Sequence, residues 1–468
     1  MGKTSINVTE SRIVASLPAP DDSAIAIAVK STRGPIDRVC TINSLEQLVK
    51  IYGEAPASGD DKSLAKAKYL VKRGSTLQVF KRESGGVKAT VKLVLRAAGT
   101  GVTETSLTLE AIGPGVGYNG LYVEANLYSG NMFGLVFKTA AQGTVLERYN
   151  ILSLDPENEY YVGNILFNSF IATAKTVVGT EFSKSSTPVT GAFASGTAPT
   201  SYIDYSVLRS REIPFCALLT DNIGEAAGAD GITLKTLLDE RKDFVVVIAK
   251  DRTDITNITF ASDELDSYLV RVAPQVTIPG LNTKDAAIAV VDVIASLHRR
   301  NLVYKSPGGL ENGILKDVLK IDTPLTDQQV EDLQGAGVNP IVVKTGYGIT
   351  LWGNYTSCTT PAYVQDLATR LLANYLKRAI FRVSQPFIFR EHTEFTWNQW
   401  KGTVEPLIRD IAVVGGLNNY EVVCDRTIMS DSDIANGILR GHVTIHPVGH
   451  LQKIFISLFI DESGVTFE

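Results

Sequence analysis

Cysteine is scarce: four in 468 residues, none in a Cys-x-x-Cys pair, which argues against a disulfide scaffold and a clustered zinc site. Cys40, Cys216, Cys358 and Cys424 stand far apart, and two of them lie in apolar runs (Pro214 to Leu219; Val422-Val423-Cys424). Buried, reduced thiols are the simple reading. Blocks of basic charge are missing as well. The formal net charge is −5, from 45 Lys and Arg against 50 Asp and Glu, so there is no basic surface of the kind non-specific nucleic-acid binding favours. No apolar run approaches the ~20 residues that cross a bilayer. The longest near the end is Ile454 to Ile460. The opening, MGKTSINVTESR, lacks the apolar stretch of a signal peptide, and Ile6 stands where an N-myristoylation signal wants Ser or Thr. A protein made and kept in a cytoplasm-like compartment is the expectation.

The motifs of catalysis are absent too. There is no GxxxxGK[ST] phosphate loop and no GxSxG nucleophile elbow. Gly113-x-Gly-x-Gly117 lacks the GxGxxG spacing and precedes a strand pattern, so a β-turn is expected. His442, His446 and His450 recur every fourth residue, but Gly441, Pro447 and Gly449 oppose a helix. On a strand the outer pair would lie ~26 Å apart, too far to share a metal. Asp21-Asp22, Asp60-Asp61 and Asp431/Asp433 each sit by Ser, Gly or Pro, and solvated turns account for them. Trp397 and Trp400 at helical spacing read as core rather than as a ligand platform. No catalytic, cofactor-binding or metal-binding residue is predicted.

What is present is an ordinary globular composition, 44% hydrophobic and 20% charged, long enough for two to four domains. Residues 1–20 read as an extended arm ending in the stiff Pro18-Ala19-Pro20 linker. A strand at Ala24 to Val29, a Ser44-Leu-Glu-Gln47 capping box opening a helix that stops at Gly53, a helix capped by Ser63 and closed by Gly74, and a strand at Thr76 to Phe80 follow. Residues 88–205, rich in Thr, Ser, Val and Gly, read as an inserted β-rich domain. Helical alternation resumes with strands at Phe215 to Leu219 and Phe244 to Ala249 and helices at Leu234 to Arg241, Asp263 to Val270 and Ala286 to Arg300. The body is thus a discontinuous α/β domain, 21–87 with 206–300, followed by a C-terminal α/β domain at 301–453 and a strand-like arm at 454–468. In the C-terminal part, Thr326 with Gln329 caps a helix running to Gly335, and Val364 to Ile380 is a clear amphipathic helix with Arg370, Lys377 and Arg378 on its outer face. A stripe from Trp397 to Ile411 is a further helix, which Pro406 should kink or split. Late strands are expected at Gly437 to Ile445 and Ile454 to Ile460.

The organising stretch is Gly335 to Thr356, GAGVNPIVVKTGYGITLWGNYT, which reads as strand, tight Gly turn, strand. The string G-[IV]-N-P-I, then G-x-G-I-x-[LV]-W-G-N-x-T, resembles the C-terminal domain of contractile tail sheath proteins. These build the outer cylinder of myophage tails and related contractile injection systems. Other pieces are similar to that family in order and spacing: Arg33-Gly34-Pro35, Ile42-Asn-Ser44 before a helix ending Tyr52-Gly53, Gly113-Pro-Gly-Val-Gly-Tyr-Asn119 before Leu121 and Val123, Lys305-Ser-Pro307 before Gly313, Trp397 to Gly416, and Val422 to Asp425. Residues 125–205 carry no motif of the family.

The resemblance implies a structural, non-enzymatic protein with no cofactor. It implies hexameric rings stacked helically around an inner tail tube, with baseplate and tail terminator proteins as further partners. Contraction would drive the tube through a bacterial envelope to deliver a genome or an effector. It implies a place in the virion tail, assembled in the host bacterial cytoplasm, with no direct nucleic-acid contact and no stable membrane insertion. The insert would face outward. The terminal arms would donate strands to neighbouring subunits, through Ile6 and Val8 at one end and Ile454, Ile456, Leu458, Ile460, Val465 and Phe467 at the other. Arg370, Lys377 and Arg378 would touch an acidic tube. Two other classes stay open at this point: an α/β hydrolase-like enzyme with a β-rich lid, which needs a nucleophile–base pair, and an unrelated self-assembling shell protein.

Overall fold

The structure is a computed structural model that describes residues 22–54, 62–81, 83–100, 103–198, 200–201, 204–224, 232–281, 284–358, 365–451, 458–461 and 464–467. Its centre is an eight-stranded sheet. In chain order the strands are β1 (Ile25–Val29), β2 (Cys40–Ile42), β3 (Leu77–Lys81), β4 (Ala217–Leu219), β5 (Val245–Ala249), β6 (Leu269–Ala273), β7 (Val338–Lys344) and β8 (Gly348–Leu351). Across the sheet the order is β8-β7-β6-β5-β4-β1-β3-β2. β1 lies between β3 and β4 and is parallel to both, Ile25 facing Leu77 on one side and Ala217 on the other. The chain therefore leaves the sheet after β3 and re-enters at β4 against the same strand, which accommodates a domain between them without breaking the sheet. Only the margins turn antiparallel, β2 on β3 and β8 on β7.

Every residue of β1, β3, β5 and β6 is buried, as parallel strands covered on both faces require. β1 shows how the sides differ. Ile25, Ile27 and Val29 pack with helices α1 (Leu45–Tyr52), α2 (Ser63–Lys72) and α4 (Ala286–Arg299), while Ala24, Ala26 and Ala28 face α3 (Leu234–Arg241) and α5 (Asp327–Gly335). The insert has its own core. A three-stranded sheet (Lys88–Arg96, Thr105–Pro114, Ala172–Val178) and a four-stranded sheet (Tyr122–Leu127, Met132–Lys138, Val145–Ser153, Val189–Ala192) share Leu93, Leu107, Leu109, Val123, Phe133 and Phe137. At the C-terminal end, α6 (Leu367–Ser384) and α7 (Glu394–Val413) pack with the hairpin Leu417–Val423/His442–Pro447 around Leu376, Trp397, Trp400, Val404 and Ile408.

Several expectations are corrected. β7 and β8 extend the sheet that begins at β1, so the body does not end at residue 300. The helix opened at Asp263 stops at Asp266, and Leu269–Ala273, rich in β-branched residues, is a central strand. Ser63 is not an N-cap; its hydroxyl accepts from Lys30 N at 3.0 Å and ties α2 to the end of β1. α7 runs unbroken through Pro406, held on both sides of it by the buried Trp397, Trp400, Val404, Ile408 and Ile411. By contrast, the predicted N-caps form: Ser44 accepts from Gln47 N, with the Gln47 side chain reaching back to Asn43 N rather than to the cap, and Thr326 and Gln329 close a full capping box at α5.

Candidate assembly surfaces

The β7–β8 hairpin is fixed by a small set of side chains. Asn339 is fully buried, donates to the carbonyls of Arg271 and Tyr355 at 3.1 and 2.8 Å, and accepts from Tyr355 N at 2.8 Å. One amide thereby clamps β6, β7 and the strand exit together. Gly353 sits against it, where a Cβ would lie 2.7 Å from Asn339 Oδ1. Asn354 then accepts from Ala368 N at 3.1 Å and donates to Asp366, the N-cap of α6. Asp366 itself accepts from Thr369 N and lies 3.1 Å from His450 Nδ1. The string N-P, then W-G-N, is thus the joint that aims the C-terminal helices from the sheet edge.

A second joint carries the insert. Gly113 and Gly115 pack so closely on the turn 32–35 that a Cβ on either would lie 2.1 Å from a backbone oxygen, that of Gly34 or Thr32. Gly117 N donates to Thr32 O at 2.9 Å, and Gly34 N donates to the Tyr118 hydroxyl at 2.9 Å. Tyr118 is buried, and burial pushes its phenol pKa up, which keeps the hydroxyl neutral. The Gly-Pro-Gly-Val-Gly string is a backbone-on-backbone contact between insert and body, a use beyond the turn that its composition predicts.

Helix α6 keeps only part of the expected outer basic face: Lys377 is exposed, Arg370 is half-buried and Arg378 is buried. Arg378 is 5% exposed; it donates to the Asp243 carbonyl and lies 3.8 Å from Asp22. Desolvation lowers its pKa. The Arg370 guanidinium stacks 4.3 Å from the Tyr268 ring centroid. Lys377 is exposed, with its ammonium donating to Lys242 O and the Tyr268 hydroxyl, both at 2.9 Å. The three residues hold α6 against the chain just before the central strands β5 and β6, and hydrophobic periodicity cannot show this because the partners are remote in sequence. Asp22, expected in a solvated turn, pairs with Arg382 at 2.6 Å, and Asp433 closes a capping box with Ser430 and pairs with Arg440 at 2.7 Å.

Sequence reasoning missed Arg241, fully buried at the end of α3. Its guanidinium meets both oxygens of Asp243 at 3.0 Å, donates to the carbonyls of Leu208, Ser210 and Ile213, and stacks 4.5 Å from Phe215. It pins the segment by which the chain returns from the insert. A charged residue at the end of an exposed-looking helix gives no sequence signal of that role.

At the terminus, Leu458–Asp461 pairs antiparallel with Gly464–Phe467, Leu458 opposite Phe467 and Ile460 opposite Val465. This is a two-stranded sheet, as is the hairpin Leu417–Val423/His442–Pro447, and among the described residues neither has a further strand on either edge. Ile6, Val8, Ile454 and Ile456 lie outside the described residues. The loop joining α6 to α7 exposes Ile388 and Phe389, with Phe389 entirely exposed and in a left-handed conformation (φ 69°). Cys40, Cys216, Cys358 and Cys424 are all buried. Among the described residues no group of His, Cys, Asp or Glu could hold a metal ion, and no helix is long and apolar enough to cross a membrane.

Compared with solved structures, the chain superposes over 97% of its length on 98% of the sheath tail protein from Desulfitobacterium hafniense, at TM-score 0.53 and 14% identity. It superposes over 99% of both chains on a contracted-state sheath complex of the extracellular contractile injection system PVC, at TM-score 0.54 and 14% identity. This is the contractile tail sheath fold. In sequence the chain is related to phage tail sheath proteins. It is 26% identical over 164 residues to the tail sheath protein of Vibrio phage KVP40, 35% of this chain and 24% of that relative. The aligned part thus spans about a quarter of that curated relative. No family model matches the chain.

Proposed function

We propose that this chain is the structural subunit of a contractile tail sheath. Subunits assemble as stacked hexameric rings around an inner tail tube, between a baseplate and a tail terminator, and contract to drive the tube through a bacterial envelope. The observation that carries this reading is the near end-to-end match in fold to sheath chains, over 97–99% of this chain. The open two-stranded sheets fit the same reading. An unpaired edge accepts a strand from another chain through main-chain hydrogen bonds, whatever its side chains, and so links subunits while their bodies rotate. Residues 1–20 and 454–468 are the segments that would cross between subunits. Of the three basic residues on α6, Lys377 alone is exposed enough to meet an acidic tube without α6 leaving the body.

Two bistable packings of such rings would make contraction a switch rather than a continuous deformation. The test is negative-stain electron microscopy of the purified protein at high concentration and moderate salt. Hollow tubes with a striated helical lattice are expected, and lost on deleting residues 1–20 while the body stays folded. Monomers at every concentration, with and without a tube template, would refute the sheath role. Tubes formed by the truncated chain would refute the arm assignment alone.

A further inference from the structure

On the α2–α4 side of the body, a cavity of about 430 Å³ opens between the end of α2, the last turns of α4 and the segment 311–316. Four cations line it (Arg73, Arg299, Arg300 and Lys316) against two carboxylates, Asp292 and Glu311. Adding the partners just outside, Lys305 on Glu311 at 2.9 Å and Asp317 on Arg73, leaves the same surplus of two positive charges.

The carboxylates are already engaged. Asp292 accepts from Arg73 Nε at 2.7 Å and from Ser75 Oγ at 3.1 Å, and Arg299 Nη2 lies 3.5 Å away. Arg300, in contrast, has only neutral partners among the described residues: Asn312 Oδ1 at 3.0 Å and the Ser296 carbonyl at 3.4 Å. Lys316 is exposed and has no ion pair among the described residues. A guanidinium carries five N–H donors in a planar fork, so Arg73, Arg299 and Arg300 retain donors that their present partners do not use.

We propose that this cavity binds a small polyvalent phosphate of the di- or triphosphate class. A single carboxylate would neutralise one of the two surplus charges and a phosphate both, while the three guanidinium forks on the wall, which match phosphate oxygens bidentately, present more donors than one phosphoryl group takes up. The volume lies within the range of small-ligand pockets, ~300–1,000 Å³. The position gives binding a consequence. Ile314 bridges to Thr350 of β8, so an anion held between Arg300 and Lys316 ties the segment that abuts β8 to the end of α4.

The experiment is calorimetric titration of inorganic pyrophosphate into the full chain, with orthophosphate and chloride at matched ionic strength as controls. The variants are Arg300→Ala and Lys316→Ala, both at exposed positions off the Asp292 cluster, and each must first melt like the unaltered protein without ligand. If one does not, Arg300→Gln takes its place. A saturable one-to-one isotherm for pyrophosphate is expected, at least tenfold weaker in each variant, with a pyrophosphate-dependent rise in melting temperature that the variants lose. No saturable binding, or equal affinity in protein and variants, overturns the proposal. Equal binding of orthophosphate overturns the polyvalent class.

Discussion

Gly115→Ala is the sharpest probe of how the insert is mounted. Gly115 has φ 146°, a region side chains rarely adopt, and an added Cβ would lie 2.1 Å from Thr32 O and 3.0 Å from its carbonyl carbon. Carbon–oxygen contacts settle near ~3.3–3.6 Å, so the two backbones must part by roughly 1.2 Å or more. That motion breaks the bond from Gly117 N to Thr32 O and the bond from Gly34 N to the Tyr118 hydroxyl, both 2.9 Å. Two lost hydrogen bonds at about 0.5–1.5 kcal/mol each, with about 1–3 kcal/mol for the backbone conformation, give a cost of about 2–6 kcal/mol. Gly120 supplies the control. It too has positive φ, 85°, but no atom lies within 4 Å of its would-be Cβ, so Gly120→Ala carries the conformational term alone. The assay is urea unfolding followed by far-ultraviolet dichroism and by tryptophan fluorescence, with limited proteolysis of the folded state. All three tryptophans lie outside the insert, at positions 352, 397 and 400, so fluorescence reports the body. Gly115→Ala should bring forward the dichroism transition and separate it from the fluorescence transition, with new cleavage between residues 114 and 120. A variant within about 1 kcal/mol of the Gly120→Ala control would refute the backbone-on-backbone reading.

Two further outcomes follow from buried and half-buried charge. Arg241→Met strands the Asp243 carboxylate and three carbonyls in the interior and should cost about 3–5 kcal/mol, much of it recovered when Asp243 is also made apolar; urea midpoints of the single and double variants decide this. The Asp366 carboxylate raises the pKa of the half-buried His450 above 6.5. The pair therefore stabilises fully below the unfolded histidine's pKa and loses that contribution as pH rises through the raised value; an imidazole proton titration should show the raised midpoint, and His450→Gln should flatten the change in stability over that window.

The fold was legible where a local rule was sufficient. Apolar runs at β1 and β5 marked buried parallel strands, and the N-caps at Ser44 and Thr326 fixed helix starts because their partners lie three residues away. The β7–β8 hairpin was legible for the same reason, its glycines bracketing two apolar pairs. Legibility failed where a residue's partner is remote. Ser63 looks like a cap until β1 is placed beside α2. Leu269 and Val270 look like the end of a helix until Val338 of β7 is seen to pair with Arg271 in the strand they open. The boundary at residue 300 followed composition, and composition does not register that β7 returns to a sheet begun at residue 25.

The basic stripe on α6 shows why the same limit bears on function. Spacing places Arg370, Lys377 and Arg378 together, and a cationic stripe suggests a partner. It does not say whether the partner is another molecule or the rest of this one. Here Tyr268, Asp243 and Lys242 answer from within the chain for all three, and only Lys377 stays exposed as well. A buried arginine whose carbonyl partner sits at the end of the sheet cannot also face a tube, because exposing it would mean lifting α6 and abandoning Asp22 and Asp243. Tube contact, if α6 makes it, must therefore use the residues it leaves outside, and the same reasoning transfers to the arms. What makes the terminal segments credible as inter-subunit strands is not their alternation, which an internal strand shares. It is that the hairpin at 458–467 has no further strand on either edge among the described residues, and a two-stranded ribbon alone is marginally stable. Function in an assembling protein is read from bonds the single chain leaves unmade.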